Sequence, residues 1–424
     1  MVRLVGIFLI LGFTLSCNDE VQIKRLFTYP ESNQLKKFKV QKDSTLETEP
    51  SLQELYISLV SNLSEQIYPQ TELRSPQSPA MMPSTIKVGG LPILSRYLET
   101  LRNKIDQEKD IHLLSLAMGA TLPETLTTRS SISSLDQKKI DILKMTLAHL
   151  KIDYHHMGYR EALWTQSHSS DQKEGNSHSQ WINSNIFDLK TGKPLVNDHS
   201  LSYAIKKVGD TAVGIIAVTS YDSLSNEQKN EMNGIYFQDP LTAVLRTRNI
   251  LKSQNVHLNI LMYHGEMNCP EFLYDTPIPL SEITKFNCDP NKKKNELYQL
   301  LSKLPPKTID LIITPSLKRT AGQILGTPLL GLPRPQSFIG LAKLVINDKE
   351  HEIDFSKSYI LPPLKLCHEV FAGLEDCVLN ASKEEVNERR FDFLENTAFG
   401  LIPSKFLGTQ ILPDPILEKF INGK

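Results

Sequence analysis

The chain has 424 residues, of which 40% are hydrophobic and 22% are charged, and its formal net charge is −1 at neutral pH. This length suffices for two or three domains, or for one large domain with extensions, and the apolar residues can build a substantial core. A charge so close to zero gives no electrostatic reason to expect nucleic-acid binding. After the N-terminus, no apolar run reaches the ~18 residues that a membrane-spanning helix requires.

The N-terminus has the pattern of an export signal. Arg3 precedes an apolar run from Leu4 to Leu15, and one small residue follows before Cys17. Residues 14–17, Thr-Leu-Ser-Cys, resemble a bacterial lipoprotein box, in which the cysteine is acylated and becomes the first residue of the mature chain. The pattern predicts a signal peptide and lipid-attachment cysteine over residues 1–17. Ordinary cleavage near Cys17 is the alternative.

Acylation would make the membrane a partner of this protein through a lipid anchor, and would place the protein in the bacterial cell envelope. Asn18 follows the cysteine, where an aspartate is associated with retention in the inner membrane. We therefore expect the outer membrane, with the protein facing the periplasm or the exterior. Residues 18–53 are polar and are predicted to form a tether between the anchor and the folded part.

The rest of the chain alternates predicted strands with predicted helices. Short apolar runs between turn residues predict strands at 54–61, 111–117, 213–219, 258–266, 310–314 and 338–346, with a helix from Ser51 as the competitor of the first. Residues with 3.6-residue apolar periodicity predict a helix after Gly90 and another over 382–396. A capping box at 134–137 predicts the start of a third helix. The pairs Asp239-Pro240 and Asp289-Pro290 predict the starts of two more, the second of which extends to residue 303. Proline-rich residues 69–84 and polar residues 165–180 are predicted loops.

This alternation predicts an α/β layered domain over residues 54–347, followed by a C-terminal extension over 348–424. Its central strand is 258–266, in which four apolar residues suit burial on both faces and His264 comes at the carboxyl end. Sites in layered α/β folds form at such strand ends. A histidine that is merely satisfied by a neighbour is the alternative reading of His264.

Four cysteines remain after Cys17 is set aside: Cys269, Cys288, Cys367 and Cys377. An even number in an exported chain favours disulfide bonds. Four cysteines allow three pairings, and sequence proximity favours Cys269 with Cys288 and Cys367 with Cys377. A zinc site is less favoured, because no Cys-x-x-Cys spacing occurs.

The order of these pieces resembles the calcineurin-like metallophosphoesterases, in the branch that contains bacterial 5′-nucleotidases. The family's Asp-x-His strand end resembles Asn62-Leu-Ser64, and its Gly-Asp resembles Gly119-Ala120. Its Gly-Asn-His-Glu stretch resembles Gly158-Tyr-Arg-Glu161, its Ser-His-Leu-Gly resembles Tyr263-His-Gly265, and its final Gly-His-x-His resembles Pro315-Ser-Leu-Lys318. The resemblance covers residues 54 to about 347 and implies the family's layered αββα sandwich.

The resemblance implies a site for two divalent metals, but most of the matched ligand positions hold other residues. Asn62 and Ser64 replace the Asp-x-His pair, Ala120 replaces the bridging aspartate, and Tyr159 and Arg160 replace the asparagine and the catalytic histidine. Only His264 is retained, since Ser316 and Lys318 replace the last two histidines. One imidazole and one amide oxygen are too few ligands for a dimetal centre, so we expect no metal cofactor.

Other residues offer alternatives for this site. Of His155 and His156, at most one can face it, because neighbouring residues of a strand point to opposite faces. His168 and His178 lie in a predicted solvated loop. Glu161 and Glu266 are expected to be exposed rim residues.

Arg160 and Lys318 stand where the family places metal ligands, and their positive charges can bind a phosphate-like anion without metal. Their alternative role is to face solvent or to pair with Glu161 and Glu266.

The sequence therefore predicts an exported, lipid-anchored metallophosphoesterase-like pseudoenzyme that acts in binding or scaffolding. A divergent active metal-dependent phosphoesterase, similar to a 5′-nucleotidase and using two divalent metal ions, is the alternative. The predicted pocket of the degenerate site is formed by Asn62, Ser64, Ala120, Tyr159, Arg160, Glu161, His264, Ser316 and Lys318.

Overall fold

The computed structural model describes most of the chain from residue 52 onward. The described ranges are 52–65, 67–73, 85–119, 121–122, 134–167, 180–196, 200–231, 234–265, 267, 269–272, 276–288, 295–333, 337–371, 377 and 401–422. The predicted signal peptide, most of the tether, and the predicted helix over 382–396 lie outside these ranges, as do His168, His178 and the predicted cap Asp289-Pro290.

The described strands and helices follow the alternation that the sequence predicts. The strands are β1 (Leu52–Ser61), β2 (Gln70–Leu73), β3 (Thr85–Val88), β4 (Ile111–Met118), β5 (Tyr154–His156), β6 (Gln180–Ile182), β7 (Ile186–Asp188), β8 (Ser200–Leu201), β9 (Ala204–Val208), β10 (Thr211–Thr219), β11 (Ile235–Phe237), β12 (Leu258–His264), β13 (Ile278–Pro279), β14 (Leu311–Ser316), β15 (Thr320–Ile324), β16 (Thr327–Pro333), β17 (Phe338–Asn347), β18 (Glu352–Ile353), β19 (Tyr359–Lys365), β20 (Glu369–Phe371), β21 (Leu401–Pro403), β22 (Lys405–Phe406) and β23 (Thr409–Gln410). The α-helices are α1 (Leu91–Ile105), α2 (Ser134–Leu150), α3 (Tyr159–Ser167), α4 (Asn226–Glu231), α5 (Pro240–Ser253), α6 (Glu296–Lys303) and α7 (Pro415–Asn422).

Two large sheets carry the fold. The first has the order β13-β19-β17-β1-β4-β5-β6-β8, with β18 paired to β17, and the second has the order β15-β16-β14-β12-β10-β9. Strands β1, β4, β5, β6 and β8 run parallel to one another in the first sheet, as do β10, β12, β14 and β16 in the second. Parallel pairing brings the carboxyl ends of the strands to one edge of each sheet.

The two sheets pack face to face, and helices cover their outer faces. On β1, Leu55, Ile57 and Leu59 belong to the cluster between the sheets, whereas Tyr56 and Val60 belong to the cluster under α1 and α2. Helices α5 and α6 pack in the same way on the outer face of the second sheet. This alternation with period 2 is what a strand covered on both faces requires, and it confirms the predicted αββα sandwich.

Helix α5 begins as its sequence predicts, because the Asp239 side chain accepts a hydrogen bond from the backbone N–H of Thr242 at 2.9 Å and Pro240 occupies the first turn. Helix α6 begins later than predicted. Its first residue is Glu296, and the Asn295 side chain accepts from the backbone N–H of Tyr298 at 3.1 Å. Asn295 thus supplies the N-cap of the described helix.

The predicted loop over 69–84 was wrong in part. Residues Gln70–Leu73 form an antiparallel pair with Thr85–Val88, outside the two large sheets. The prolines at positions 76, 79 and 83 lie outside the described residues. No helix in the part of the chain that the structure describes combines the length and apolarity needed to cross a bilayer.

Both predicted disulfide bonds are confirmed. Cys269 is bonded to Cys288 and Cys367 to Cys377, and all four cysteines are buried. The first bond lies beside the outer face of the second sheet, within its apolar cluster. Disulfide bonds persist in oxidising compartments outside the cytoplasm.

The residues after position 347 add to both the first sheet and its helical layer. Strand β19 pairs antiparallel with β17, and α7 packs against α1 and α2. Asp414, which is 4% exposed, anchors α7 through three sets of contacts. Its carboxylate accepts from Ser95 Oγ at 2.7 Å, lies 2.7 Å from His149 Nε2, and accepts from the backbone N–H of Ile416 at 2.9 Å.

We expect Asp414→Ala to lower the free energy of unfolding by roughly 3 kcal/mol, because it removes an N-cap and leaves the partners of a buried carboxylate unsatisfied. Burial by itself raises the pKa of Asp414, but hydrogen bonds from Ser95 and His149 outweigh burial and hold the pKa below its usual range. The stabilisation is therefore present above the ordinary carboxyl range and is lost as pH falls through the lowered pKa.

Chemical denaturation at several pH values measures this effect. Asp239→Ala is the matched control, because Asp239 caps α5 at an exposed position and should cost only about 1 kcal/mol. Equal losses for the two variants would show that the Ser95 and His149 contacts do not stabilise α7.

Candidate functional site

Five polar side chains follow or end parallel strands at the same edge of the two sheets. Asn62 follows β1, His156 ends β5, Thr219 ends β10, His264 ends β12 and Ser316 ends β14. The ladders continue to the strand ends, since Asn62 N–H donates to Met118 O at 2.8 Å and Ser220 N–H donates to His264 O at 2.7 Å. The edge is thus a continuous rim of strand ends, which we call the strand-end cluster.

His156 and His264 bring the two sheets together within this cluster. Their ring centroids lie 5.4 Å apart in an edge-on arrangement. His156 Nε2 lies 3.3 Å from Val218 O and 3.2 Å from Thr219 Oγ1, and within the described residues its Nδ1 has no hydrogen-bond partner. Burial lowers the pKa of His156 to about 4. The ring is therefore neutral at neutral pH, and it donates through Nε2 to the second sheet.

His155 faces the other side of β5. Its ring packs against Trp181 with the centroids 5.4 Å apart, and burial lowers its pKa to about 3. Only one of the two adjacent histidines therefore reaches the strand-end cluster, as the geometry of a strand requires.

Glu161 lies in the interior, so the expectation of an exposed rim residue was wrong. The residue is 2% exposed. Its Oε1 accepts from the backbone N–H groups of Thr121 and Leu122 at 2.9 and 3.0 Å, and its Oε2 accepts from that of Gly158 at 3.1 Å. If the carboxylate faced a cavity, these oxygens would be available to a ligand. Here they accept hydrogen bonds from the backbone instead. The carboxylate ties the loop after β4 to the start of α3.

Burial raises the pKa of Glu161, and backbone N–H groups, led by that of Leu122, oppose the shift. A Cβ added at Gly158 would lie 2.9 Å from Glu161 Oε2 and 4.0 Å from His264 Nδ1, so a larger residue there would force the Glu161 carboxylate to shift. Glu161 and His264 are thus neighbours across this glycine. Glu266, the other carboxylate that the sequence offers near this edge, lies outside the described residues.

Asn62 and Gly119 meet at the ends of β1 and β4. Asn62 has φ of 47° and Gly119 has φ of 75°, and a Cβ on Gly119 would overlap the Asn62 side-chain oxygen. Glycine at 119 therefore lets the Asn62 amide approach the loop after β4. Ser64 lies in a one-turn 3₁₀-helix, Leu63–Glu65, directly after Asn62. Ala120 lies outside the described residues.

Arg160 is held against its neighbour. Its Nε–H donates to the Tyr159 hydroxyl at 3.0 Å, and its guanidinium lies 5.6 Å from the centre of the Tyr159 ring. Tyr159 itself is 8% exposed. The positive charge thus lies at the first turn of α3, beside the loop that Glu161 holds.

Ser316 and Lys318 form their own turn at the end of β14. Ser316 Oγ lies 3.0 Å from Thr320 Oγ1 and accepts from the Lys318 backbone N–H at 3.3 Å. Lys318 is exposed, and Leu317 between them is 78% exposed. The described structure therefore brings His156, His264 and Glu161 together and leaves Ser316 and Lys318 in a turn of their own.

Two buried residues that the sequence analysis did not place in the site support it. The Asn185 side chain donates to Thr219 O and Gln238 O at 2.8 and 2.9 Å and accepts from Thr219 N–H at 2.9 Å. Asn183 Oδ1 accepts from the backbone N–H groups of Asn185 and Ile186 at 2.6 and 2.7 Å. The signal in the sequence is the Asn-Ser-Asn triplet directly after a short strand.

The described donor set does not fit a dimetal centre. The Glu161 oxygens accept from backbone, and His156 directs Nε2 at the second sheet. Among the residues that the structure describes, no group of three or more His, Cys, Asp or Glu side chains is arranged to hold a metal ion. A structural or catalytic metal needs at least three such ligands at fixed positions.

Similarity to solved structures is found at the level of the fold. The NAD nucleotidase NadN of Haemophilus influenzae is 14% identical, with a TM-score of 0.53, over 88% of this chain and 60% of that protein. The sulfate thiohydrolase SoxB of Thermus thermophilus, solved with glycerol, is 13% identical, with a TM-score of 0.50, over 73% of this chain and 56% of that protein. The chain therefore spans little more than half the length of these two proteins.

Neither a protein-family model nor a curated relative matches the sequence. The structural matches at these identities show the fold alone, and they confirm the metallophosphoesterase and 5′-nucleotidase-like fold that the order of sequence motifs predicts.

We expect Glu161→Ala to lower the free energy of unfolding by roughly 3 kcal/mol or more, because three buried backbone N–H groups would lose their acceptor. Glu161→Gln keeps one acceptor oxygen and should cost less. Urea denaturation followed by circular dichroism measures both. The exposed Glu108→Ala serves as the control and should stay within about 0.5 kcal/mol of the parent chain. A loss below about 1 kcal/mol for Glu161→Ala would contradict the role given to this carboxylate.

Proposed function

We propose that this chain is an exported, lipid-anchored protein of the bacterial cell envelope that uses a metallophosphoesterase-like fold for binding and does not hydrolyse phosphoesters. The observation that carries the proposal is the set of side chains at the described strand ends, where Asn62, His156, Thr219, His264 and Ser316 bring no carboxylate. The buried carboxylate of Glu161, a neighbour of His264 across Gly158, accepts from the backbone N–H groups of Thr121, Leu122 and Gly158. A phosphoesterase of this architecture needs carboxylate oxygens directed at metal ions.

The substitutions along the rim support the same proposal. Asn62 and Ser316 bring an amide and a hydroxyl to strand ends where the family resemblance calls for ionised or imidazole ligands. Arg160 brings a permanent positive charge to the first turn of α3, and a cation there repels a metal ion. Ligand set and electrostatics thus both act against a dimetal centre.

Export and anchoring are supported by two separate features. The predicted signal ends at Cys17, and the two disulfide bonds fit an oxidising compartment. We propose that the protein reaches the outer membrane, where acyl groups on Cys17 hold it and the polar tether carries the folded domain.

The ligand that we propose for the strand-end cluster is a phosphate-like anion beside Arg160. The guanidinium carries a permanent positive charge and N–H donors in a fixed plane, and its Nε–H donates to the Tyr159 hydroxyl. The retained His264 adds an imidazole 5.4 Å from His156, measured between ring centres.

A divergent active phosphoesterase is the second candidate. It is favoured by the identity of the two structural matches, which are named as a nucleotidase and a thiohydrolase. In that case, residues outside the described ranges, Glu266 among them, would supply the missing metal ligands.

We expect less than one Mn²⁺ or Zn²⁺ per chain after metal loading, and no turnover of a generic phosphoester, because the described donors are too few. Elemental analysis and a p-nitrophenyl phosphate assay on the purified protein measure these two quantities. Phosphate should raise the melting temperature of the parent chain and of Lys349→Ala, an exposed control, and Arg160→Ala should abolish the rise. Two metals per chain, with turnover lost in His264→Ala, would establish the second candidate instead.

We expect Cys17→Ala to release the protein from the membrane fraction, because the acylated thiol is its proposed anchor. Fractionation of cells that express the full chain, followed by immunoblotting, measures the distribution. Asn18→Ala is the matched control and should remain in the membrane fraction. Unchanged membrane association of Cys17→Ala would contradict lipid anchoring at this position.

A further inference from the structure

A cavity of about 680 Å³ lies at the amino-terminal edge of the second sheet. Its walls come from the start of β12, from the segment between α6 and β14, from the β15–β16 turn and from the β17–β18 turn. Strand β12 begins at this cavity and ends at His264, so the cavity and the strand-end cluster lie at opposite ends of the strand. The rise of a seven-residue strand separates them by roughly 20 Å.

Apolar side chains form much of the cavity wall. They include Leu301, Pro305, Leu325, Ile353 and Phe355. Leu325 is 50% exposed and Phe355 is 39% exposed, so these two large side chains are available at the surface of the cavity. A concave apolar surface of this volume is typical of sites for small organic molecules.

Two histidines form one side of the same cavity. The rings of His257 and His351 lie parallel, with an interplanar angle of 6° and centroids 4.7 Å apart. His351 has φ of 53°, and its Nδ1 lies 3.0 Å from Thr211 Oγ1, which donates to Asp348 at 2.9 Å. The β17–β18 turn is therefore fixed to the second sheet, and the cavity wall is built before any ligand arrives.

The charges of the cavity are mainly negative. Among the described residues that line it, Asp310, Glu350 and Glu352 are acidic, and Lys307 is the one lysine or arginine, with its ammonium 3.1 Å from Glu352. The charge of Arg248, which is not a lining residue, also acts on Asp310. Both members of that pair are exposed, and they offset each other. Asp310 and Glu350 remain as the negative groups on the cavity wall.

Asp310 lies deepest among these acids. One of its oxygens accepts from the backbone N–H of Asn259 at 2.7 Å. Burial raises the pKa of Asp310 to about 6, although the Asn259 bond and the charge of Lys307 act in the opposite direction. A partly desolvated carboxylate attracts a neighbouring cation more strongly than an exposed one does, because the surrounding medium screens the attraction less than water does.

We propose that this cavity binds an organic cation, a primary ammonium group carried on an apolar body. The ammonium lies against Asp310 and Glu350, and the apolar body lies against Pro305, Leu325 and Phe355. An anion would be repelled by the two carboxylates, and a neutral apolar molecule would desolvate Asp310 further without adding a cation beside it. A bare metal ion does not use the apolar wall, and the described acids and histidines of this edge include no group arranged to coordinate one.

The test compares benzylammonium with benzyl alcohol, which have the same ring and differ in charge. Binding to the full mature chain in a non-ionic detergent is measured by saturation-transfer NMR and by titration calorimetry. We expect benzylammonium to bind and benzyl alcohol to bind at least about tenfold more weakly. Asp310→Asn should weaken benzylammonium about tenfold, and Glu350→Gln should weaken it several-fold.

Glu350 lies on an exposed turn, so its variant keeps the test valid even where Asp310→Asn disturbs folding. Glu418→Gln, on α7, is the matched control and should bind as the parent chain does. The proposal would be overturned if benzylammonium did not bind at millimolar concentration, or if the two probes bound with equal affinity. It would also be overturned if both Glu350→Gln and folded Asp310→Asn bound benzylammonium as tightly as the parent chain does.

Discussion

The amide side chain of Asn185 joins the two sheets at the edge where their strands end, and the arrangement of the rim depends on it. It bonds both backbone groups of Thr219 in the second sheet, while its own segment follows β6 of the first sheet. Apolar packing between the sheets is strong but non-directional. The amide fixes the register in which the two rims meet, and thereby sets His156 beside Thr219 and His264.

At this edge, several polar side chains form hydrogen bonds with other groups of the protein. Glu161 accepts three backbone N–H groups, His156 donates toward β10, and Ser316 bonds within its own turn. Here the buried carboxylate of Glu161 on α3 holds the loop after β4 through hydrogen bonds to the backbone N–H groups of Thr121 and Leu122.

At the opposite edge of the second sheet, charged and apolar side chains face a cavity. The cavity bounded by His257, His351 and Asp310 combines an apolar wall with carboxylates, and contacts with Thr211 and Asn259 set its shape. The second sheet thus presents one end where Thr219 and Ser316 bond to other groups of the protein, and another where charged and apolar side chains face the same cavity. The two ends of β12 therefore lie at regions of different chemistry.

The sequence by itself determined the layers of this protein. Alternation along β1, the apolar run of β12 with His264 at its end, and the capping by Asp239 are local patterns, and neighbouring residues encode them. The disulfide pairing also followed from short separations, 19 and 10 residues. Only the tertiary structure decided the burial of Glu161, the choice of His156 over His155 at the rim, and the cavity beside Asp310. Each of these depends on partners that come from distant segments, such as Thr121, Val218 and His351. The environment of a polar side chain is set by the atoms packed around it, and no local periodicity specifies them.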